Sequence, residues 1–167
     1  MKSMVAPLLA MIVGGCAGIR GPAPTIAIRD LPDQGVVRVE NGSSQRARIY
    51  YNYVSSFGNM QMFYVRFRDR TGTILPLAGA QDGWFTPKVY YSQLERRPHR
   101  KRLIIPAHGS ADINRDLRYV AGWAMWHGAV DIAPCDVQLK FFGYLDNDDS
   151  RPIQAISDWQ PGPCPER

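Results

Sequence analysis

The 167-residue chain has little histidine and little cysteine, three of each, and no apolar run of the length that spans a bilayer. A spanning helix needs about 20 such residues, and the longest candidate, residues 4–13, is far shorter. A permanent transmembrane helix is therefore not expected. The signatures of common chemistries are missing as well: there is no Gly-x-Ser-x-Gly, HExxH or CxxC, and no pair of histidines at ligand spacing. His99, His108 and His127 are the available bases. A Ser-His-Asp set would have to assemble from distant parts of the chain, and His108, beside Gly109, reads as a turn residue. The acidic run at 146–150 superficially suggests calcium. An EF-hand loop starting at Asp146 needs Gly at its sixth position and Glu at its twelfth, where this chain has Arg151 and Ser157. A turn whose Asp and Asn side chains bond their own backbone is the expectation there. No catalytic residue, metal or cofactor is expected, and there is no internal repeat or low-complexity tract.

What is present begins at the N-terminus. Lys2, an apolar stretch over 4–13, two glycines and Cys16 follow the order of a secretory signal: basic start, short apolar run, small residues at the cut. The expected signal peptide is 1–15. Val13-Gly14-Gly15-Cys16 resembles a bacterial lipobox. In that family cleavage falls before the cysteine, whose sulfur and amine then carry acyl chains such as palmitate. The resemblance implies lipidation at Cys16, and Ala17 in place of Asp implies the outer membrane, facing the periplasm. Ordinary secretion with cleavage after Ala17 is the alternative. Lipid on Cys16 would leave Cys135 and Cys164 as an even pair, and a disulfide is expected between them in an oxidising compartment. Closing a loop of about 30 residues contributes roughly 3.5 kcal/mol in the chain-entropy model.

Loss of residues 1–15 leaves 152 residues (167 less 15), enough for one domain with a sizeable core. Hydrophobic content of 45% and charged content of 21% are those of a globular chain. Residues 16–24 read as a lipidated linker rich in Gly and Pro, and 25–167 as a single domain. Within it, short segments alternate with period two. Ile26 and Ile28 share a face. Residues 36–40 form a strand ending at Asn41-Gly42, a strong hairpin signal because both residues tolerate positive φ. Ala47, Ile49, Tyr51 and Tyr53 oppose Arg46, Arg48, Tyr50 and Asn52. Residues 60–69 read as one strand with Phe63, Val65 and Phe67 inward and Tyr64, Arg66 and Arg68 outward. Val137, Leu139 and Phe141 alternate with Gln138, Lys140 and Phe142. Residues 88–94 read as a further strand, whereas 117–126 fit a strand or a short helix. The expected class is all-β, an Ig-like antiparallel β-sandwich, with Phe63, Val65, Phe67, Ile49, Tyr51, Leu103, Ile105, Val137, Leu139 and Phe141 between the sheets.

Val65-Arg66-Phe67-Arg68-Asp69, then Gly72, then Ile105-Pro106-Ala107-His108-Gly109-Ser110 resembles the small Ig-like FxLYD-type domains of bacterial envelope lipoproteins. The likeness runs over residues 36–145. It implies a sandwich and brings no catalytic residues.

The formal charge of +5 falls to +4 when Lys2 leaves with the signal. This balance suits anionic lipids, cell-wall polymers or acidic proteins; a secretory signal argues against nucleic acid. Arg96, Arg97, Arg100, Lys101 and Arg102 form a basic connector around Pro98. Pro98 predicts a loop with these side chains in solvent, where they could touch an anionic surface near the anchor. Exposed Tyr50 and Tyr64, on faces that also carry Arg, have the composition of an interaction surface. Trp84 with Phe85, Tyr90 with Tyr91, and Trp123 with Trp126 are further aromatic groups. The expected function is a non-enzymatic, lipid-anchored interaction or structural module that meets an envelope protein or an anionic cell-surface polymer. The alternatives are a glycan- or lipid-binding module using exposed aromatics, and a hydrolase with an unrecognised site.

Overall fold

The computed structural model describes residues 23–54, 60–61, 63–85, 99–129 and 131–167. The segment expected as a signal peptide, Cys16, most of the expected linker, and the strand expected over 88–94 lie outside them. In chain order the elements are β1 (Ile26–Leu31), a 3-10 turn at Pro32–Gln34, β2 (Val36–Asn41), β3 (Ala47–Val54), β4 (Met60–Gln61), β5 (Tyr64–Arg68), β6 (His99–Ile105), β7 (Ser110–Asn114), α1 (Arg118–Trp123), β8 (Cys135–Leu145), β9 (Pro152–Ile156) and β10 (Gln160–Gly162). Among the described residues one sheet has three strands in the order β1-β2-β7; the other has seven and is built around β3 and β8. Every pairing is antiparallel. The two sheets pack into the all-β sandwich that the alternation predicts. Among the described residues no helix is long and apolar enough to cross a membrane.

The core lies between the inner faces. Val37, Val39 and Ile113 of the small sheet meet a layer that includes Ile49, Val65, Phe67, Ile105, Val137, Leu139 and Phe141. Of the expected core residues, Leu103 alone is only partly buried. One inward position of β1 is charged. Asp30 is buried, and Arg115, just past β7, grips its carboxylate through both Nε and Nη2. Burial here is tolerable because the pair satisfies itself.

Three readings are corrected. Asn41-Gly42 does not turn a hairpin: β2 and β3 belong to different sheets, and the chain crosses the sandwich there. The Asn41 side chain is spent on holding that crossing. Its Nδ2 donates to the carbonyls of Gln45 (2.8 Å) and Pro106 (2.9 Å), and its Oδ1 accepts from the Ser43 N–H (3.0 Å). The β6–β7 crossing is sewn to the same corner by His108 N–H to Ser43 O. His108 is thus a turn residue, with φ +49°.

The segment 60–69 is not one strand. β3 and β8 touch only at Ile49↔Leu145 and Tyr50↔Tyr144 and then part. β4 pairs with β3 through Tyr53↔Gln61, and β5 pairs with β8 through Tyr64↔Lys140, so the two pieces lie against different strands of the fork. Gly143 permits the close approach at its base, where a Cβ would lie 2.6 Å from Ile49 Cγ2.

The third correction concerns the basic connector. His99–Ile105 is strand β6, paired along β3 from Ala47↔Ile105 to Tyr53↔His99. Pro98 lies outside the described residues, and Leu103 and Ile105 draw the segment that follows it onto the core. Ser110–Asn114 is strand β7, and within the segment 117–126 that fitted a strand or a short helix, residues 118–123 are a short helix. The carboxy-terminal tail braces that helix: Trp126 N–H donates to Glu166 O (3.0 Å) and Glu166 N–H to Ala121 O (3.2 Å).

Candidate functional site: a cation–aromatic face on the larger sheet

Alternation along β5 and β8 leaves Tyr64, Arg66, Arg68, Asp136, Gln138 and Lys140 on the outer face of the seven-stranded sheet. Two tryptophans reach this face by different local devices. Trp84 arrives through a tight turn. Asp82 and Gly83 both have positive φ (+52° and +74°), and Gln81 and Trp84 exchange backbone hydrogen bonds across them. An Asp-Gly pair suits this two-residue turn because both positions need the left-handed region. The turn sets the register in which buried Phe85 pairs with Val65 and Trp84 points outward beside Arg66.

Trp159 is placed by a bulge. The register runs from Lys140↔Ile156 to Val137↔Gln160, so residues 157–159 oppose only 138 and 139. One extra residue on one strand is a β-bulge, which bends the strand and re-aims a side chain. Buried Ser157 holds it. Its Oγ accepts from the Leu139 N–H (3.0 Å) and its carbonyl accepts from Gln138 Nε2 (2.7 Å).

The outcome is an alternating stack. Lys140 Nζ lies 4.8 Å from the ring centres of both Tyr64 and Trp84. The Arg66 guanidinium lies 4.4 Å from Trp84 and 5.3 Å from Trp159, and donates to Gln138 Oε1 at 2.8 Å. Arg68 lies 4.6 Å from Trp159 and is ion-paired with Asp136 at 2.8 Å. All six stacked side chains are half-buried. A ring quadrupole attracts a cation, by about 0.5–2 kcal/mol, without cancelling its formal charge. Three cations therefore face one carboxylate within the stack. The stack fixes them in place while leaving a positive potential.

Farther along the same face, Arg100 sits 4.3 Å over Tyr144, and its guanidinium reaches Asn147 Oδ1 (2.8 Å) and Asp149 Oδ1 (2.7 Å). The turn at 146–150 is the polar turn expected of its sequence. Asp146 and Asn147 take positive φ, and Asp148 Oδ1 accepts from both the N–H and Oγ of Ser150. Its acids serve Arg100 and Arg151. Among the described residues no group of three or more His, Cys, Asp or Glu is arranged to hold a metal.

The basic cluster of the sequence is dispersed by its strand. Arg100 and Arg102 fall on the outer face, where Arg102 pairs with Tyr50, and Lys101 falls on the opposite face. Arg96 and Arg97 lie outside the described residues, as do Tyr90 and Tyr91. Cys135 and Cys164 are bridged, with Cα atoms 5.5 Å apart, and pin the tail beside β10. Sequence reasoning placed Arg66, Tyr64 and Lys140 on the correct faces but missed the stack. The Asp82-Gly83 pair signalled the turn that delivers Trp84; nothing local signalled the bulge that delivers Trp159. No protein-family model matches this chain, and no curated protein matches it.

Proposed function

We propose that this chain is a non-enzymatic, lipid-anchored envelope protein, facing the periplasm from the outer membrane, whose outer seven-stranded face docks an anionic envelope partner. The observation that carries the reading is the stack itself: Arg66 and Lys140 are held by Trp84, Trp159 and Tyr64, and among the described residues Asp136, on Arg68, is the one carboxylate in it. Preorganised, unneutralised cations beside aromatic rings favour acidic surfaces and steer them at long range. The signal-like start and the lipobox resemblance support the compartment, and the Cys135–Cys164 bridge agrees with an oxidising one. The stacked rings give much of their faces to cations, so contact led by an acidic group is favoured over stacking of a neutral sugar.

The test is photo-crosslinking in intact cells, with the reactive residue placed at Gln154 or Ile156 on this face, or at Ala27 on the other sheet. Capture of one acidic partner from the first positions, weakened by salt and by Arg66→Gln with Lys140→Gln, is the expected result. Equal capture from Ala27, or capture that ignores both substitutions, would remove this face from the contact.

A further inference from the structure

At the opposite end of β8 from the stack, three segments border an open cavity of about 260 Å³: the entry of the chain at Ala23 and Pro24, the crossing loop at 43–46, and the turn that follows Leu145. Arg46, Arg48 and Arg151 line it, with Asp146 as the acid among them. Arg151 is held in place by Asp146 Oδ2 at 3.0 Å, and the Asp146 N–H is itself fixed to the carbonyl of Arg48 at 3.0 Å. Among the described residues neither Arg46 nor Arg48 is recorded with a carboxylate. Three guanidinium groups against one carboxylate leave two positive charges around a space smaller than most drug-sized sites. Guanidinium forks match the oxygens of a phosphate group.

We infer that this cavity receives the phosphate of an anionic lipid headgroup in the membrane that carries the anchor. The source follows from how few residues separate the cavity wall from Cys16. Pro24 forms part of the wall, and the residues from Cys16 to Pro24 reach at most about 28 Å when extended. The cavity therefore cannot lie far from the bilayer, and a charged side chain there acts within a Debye length of about 8 Å. Leu145 borders the cavity, while the stack contacts β8 at 136–140. At roughly 3.3 Å per residue, five or more residues separate the two by about 15 Å or more. One end of β8 would meet lipid and the other would stay open to a partner. The inference rests on the lipid anchor of the preceding reading.

The experiment uses the full processed protein, reconstituted in bilayers of phosphatidylcholine alone or mixed with phosphatidylglycerol. Hydrogen exchange of residues 43–48 and 145–151 is the readout. Slower exchange in the mixed bilayers only, reversed by salt, is expected. Arg48→Gln should raise the anionic-lipid fraction needed for half of this protection by roughly fivefold, one charge's share at such a surface; Arg38→Gln, on the other sheet, should not. Thermal unfolding of each variant checks that it is folded. Equal exchange in both bilayers by an acylated chain overturns the cavity assignment and leaves the anchor standing. Equal protection by inorganic phosphate over neutral bilayers makes this a free-phosphate site and overturns the headgroup. A mature chain whose mass shows no acyl group on Cys16 removes the anchor and the headgroup assignment with it.

Discussion

On the three-stranded sheet Arg29 meets Glu40 at 2.9 Å and Arg38 meets Asp112 at 2.8 and 3.0 Å, and the inward-facing Asp30 meets Arg115. On the seven-stranded sheet Arg66 and Lys140 meet rings instead. Both devices order long cationic side chains, but a carboxylate cancels the charge and a ring does not. The small sheet consequently presents locally neutral rows to solvent. The large sheet presents fixed positive charge, and the bulge and tight turn that bring in Trp159 and Trp84 serve that difference. Charge counted over the whole chain would not reveal it, because arginine is abundant on both faces.

The comparison can be broken most severely at the small sheet's inner face. Arg115→Met should cost about 3–5 kcal/mol in urea unfolding, because it strands a buried carboxylate. Adding Asp30→Asn should recover part of that loss, whereas a cost below experimental scatter would mean that Asp30 finds water or another donor.

The next largest effect should come from the bridge that holds the tail near Trp159. Replacing Cys135 and Cys164 by Ser should cost roughly 3.5 kcal/mol. It should also red-shift tryptophan emission before global unfolding, as the β10 end of the larger sheet loosens. Emission that shifts only with global unfolding would show that the bulge holds Trp159 without help from the bridge.

Arg66→Gln sharpens the contrast. It removes contacts to two rings, with a stability loss of about 1 kcal/mol, yet should abolish most salt-sensitive partner binding. Arg38→Gln on the small sheet should leave that binding unchanged. Comparable binding losses in the two variants would mean that net charge matters and the stack does not.

The smallest effect is in acid. The Asp112 carboxyl is held below the usual carboxylate range by the hydrogen bond from Arg38 and by its charge, and Asp69 by the Thr71 hydroxyl and the backbone N–H groups of its turn. A carboxyl lowered in the folded state stabilises it fully above the ordinary range and progressively loses that contribution as pH falls below it. Hydrogen exchange along β2 and β7 should therefore quicken only below about pH 4. A change centred near neutrality would implicate a different group.

The sequence by itself determined which side chains share a face and which cysteines could pair. Phe63, Val65 and Phe67 are inward and Tyr64, Arg66 and Arg68 outward because successive residues of a strand must alternate, whatever lies beside them. Cys135 and Cys164 were marked by parity and compartment, and they are bridged. Tertiary structure alone decided who the neighbours are. Asn41-Gly42 has the local chemistry of a hairpin, yet it became a crossing because β2 found its partners in β1 and β7, and Asn41 had carbonyls from two other segments to bind. The basic connector around Pro98 looked like a solvated loop from its charge, yet its residues 99–102 run into strand β6 with the expected core residues Leu103 and Ile105, because β3 offered a free edge and the core took Ile105. The stack depends on pairings between segments as much as 95 positions apart, Tyr64 to Trp159. Period-two alternation states a side chain's direction but carries no information about register against a distant strand. The extra residue that turns Trp159 onto Arg66 and Arg68 exists only once β8 has β9 and β10 beside it.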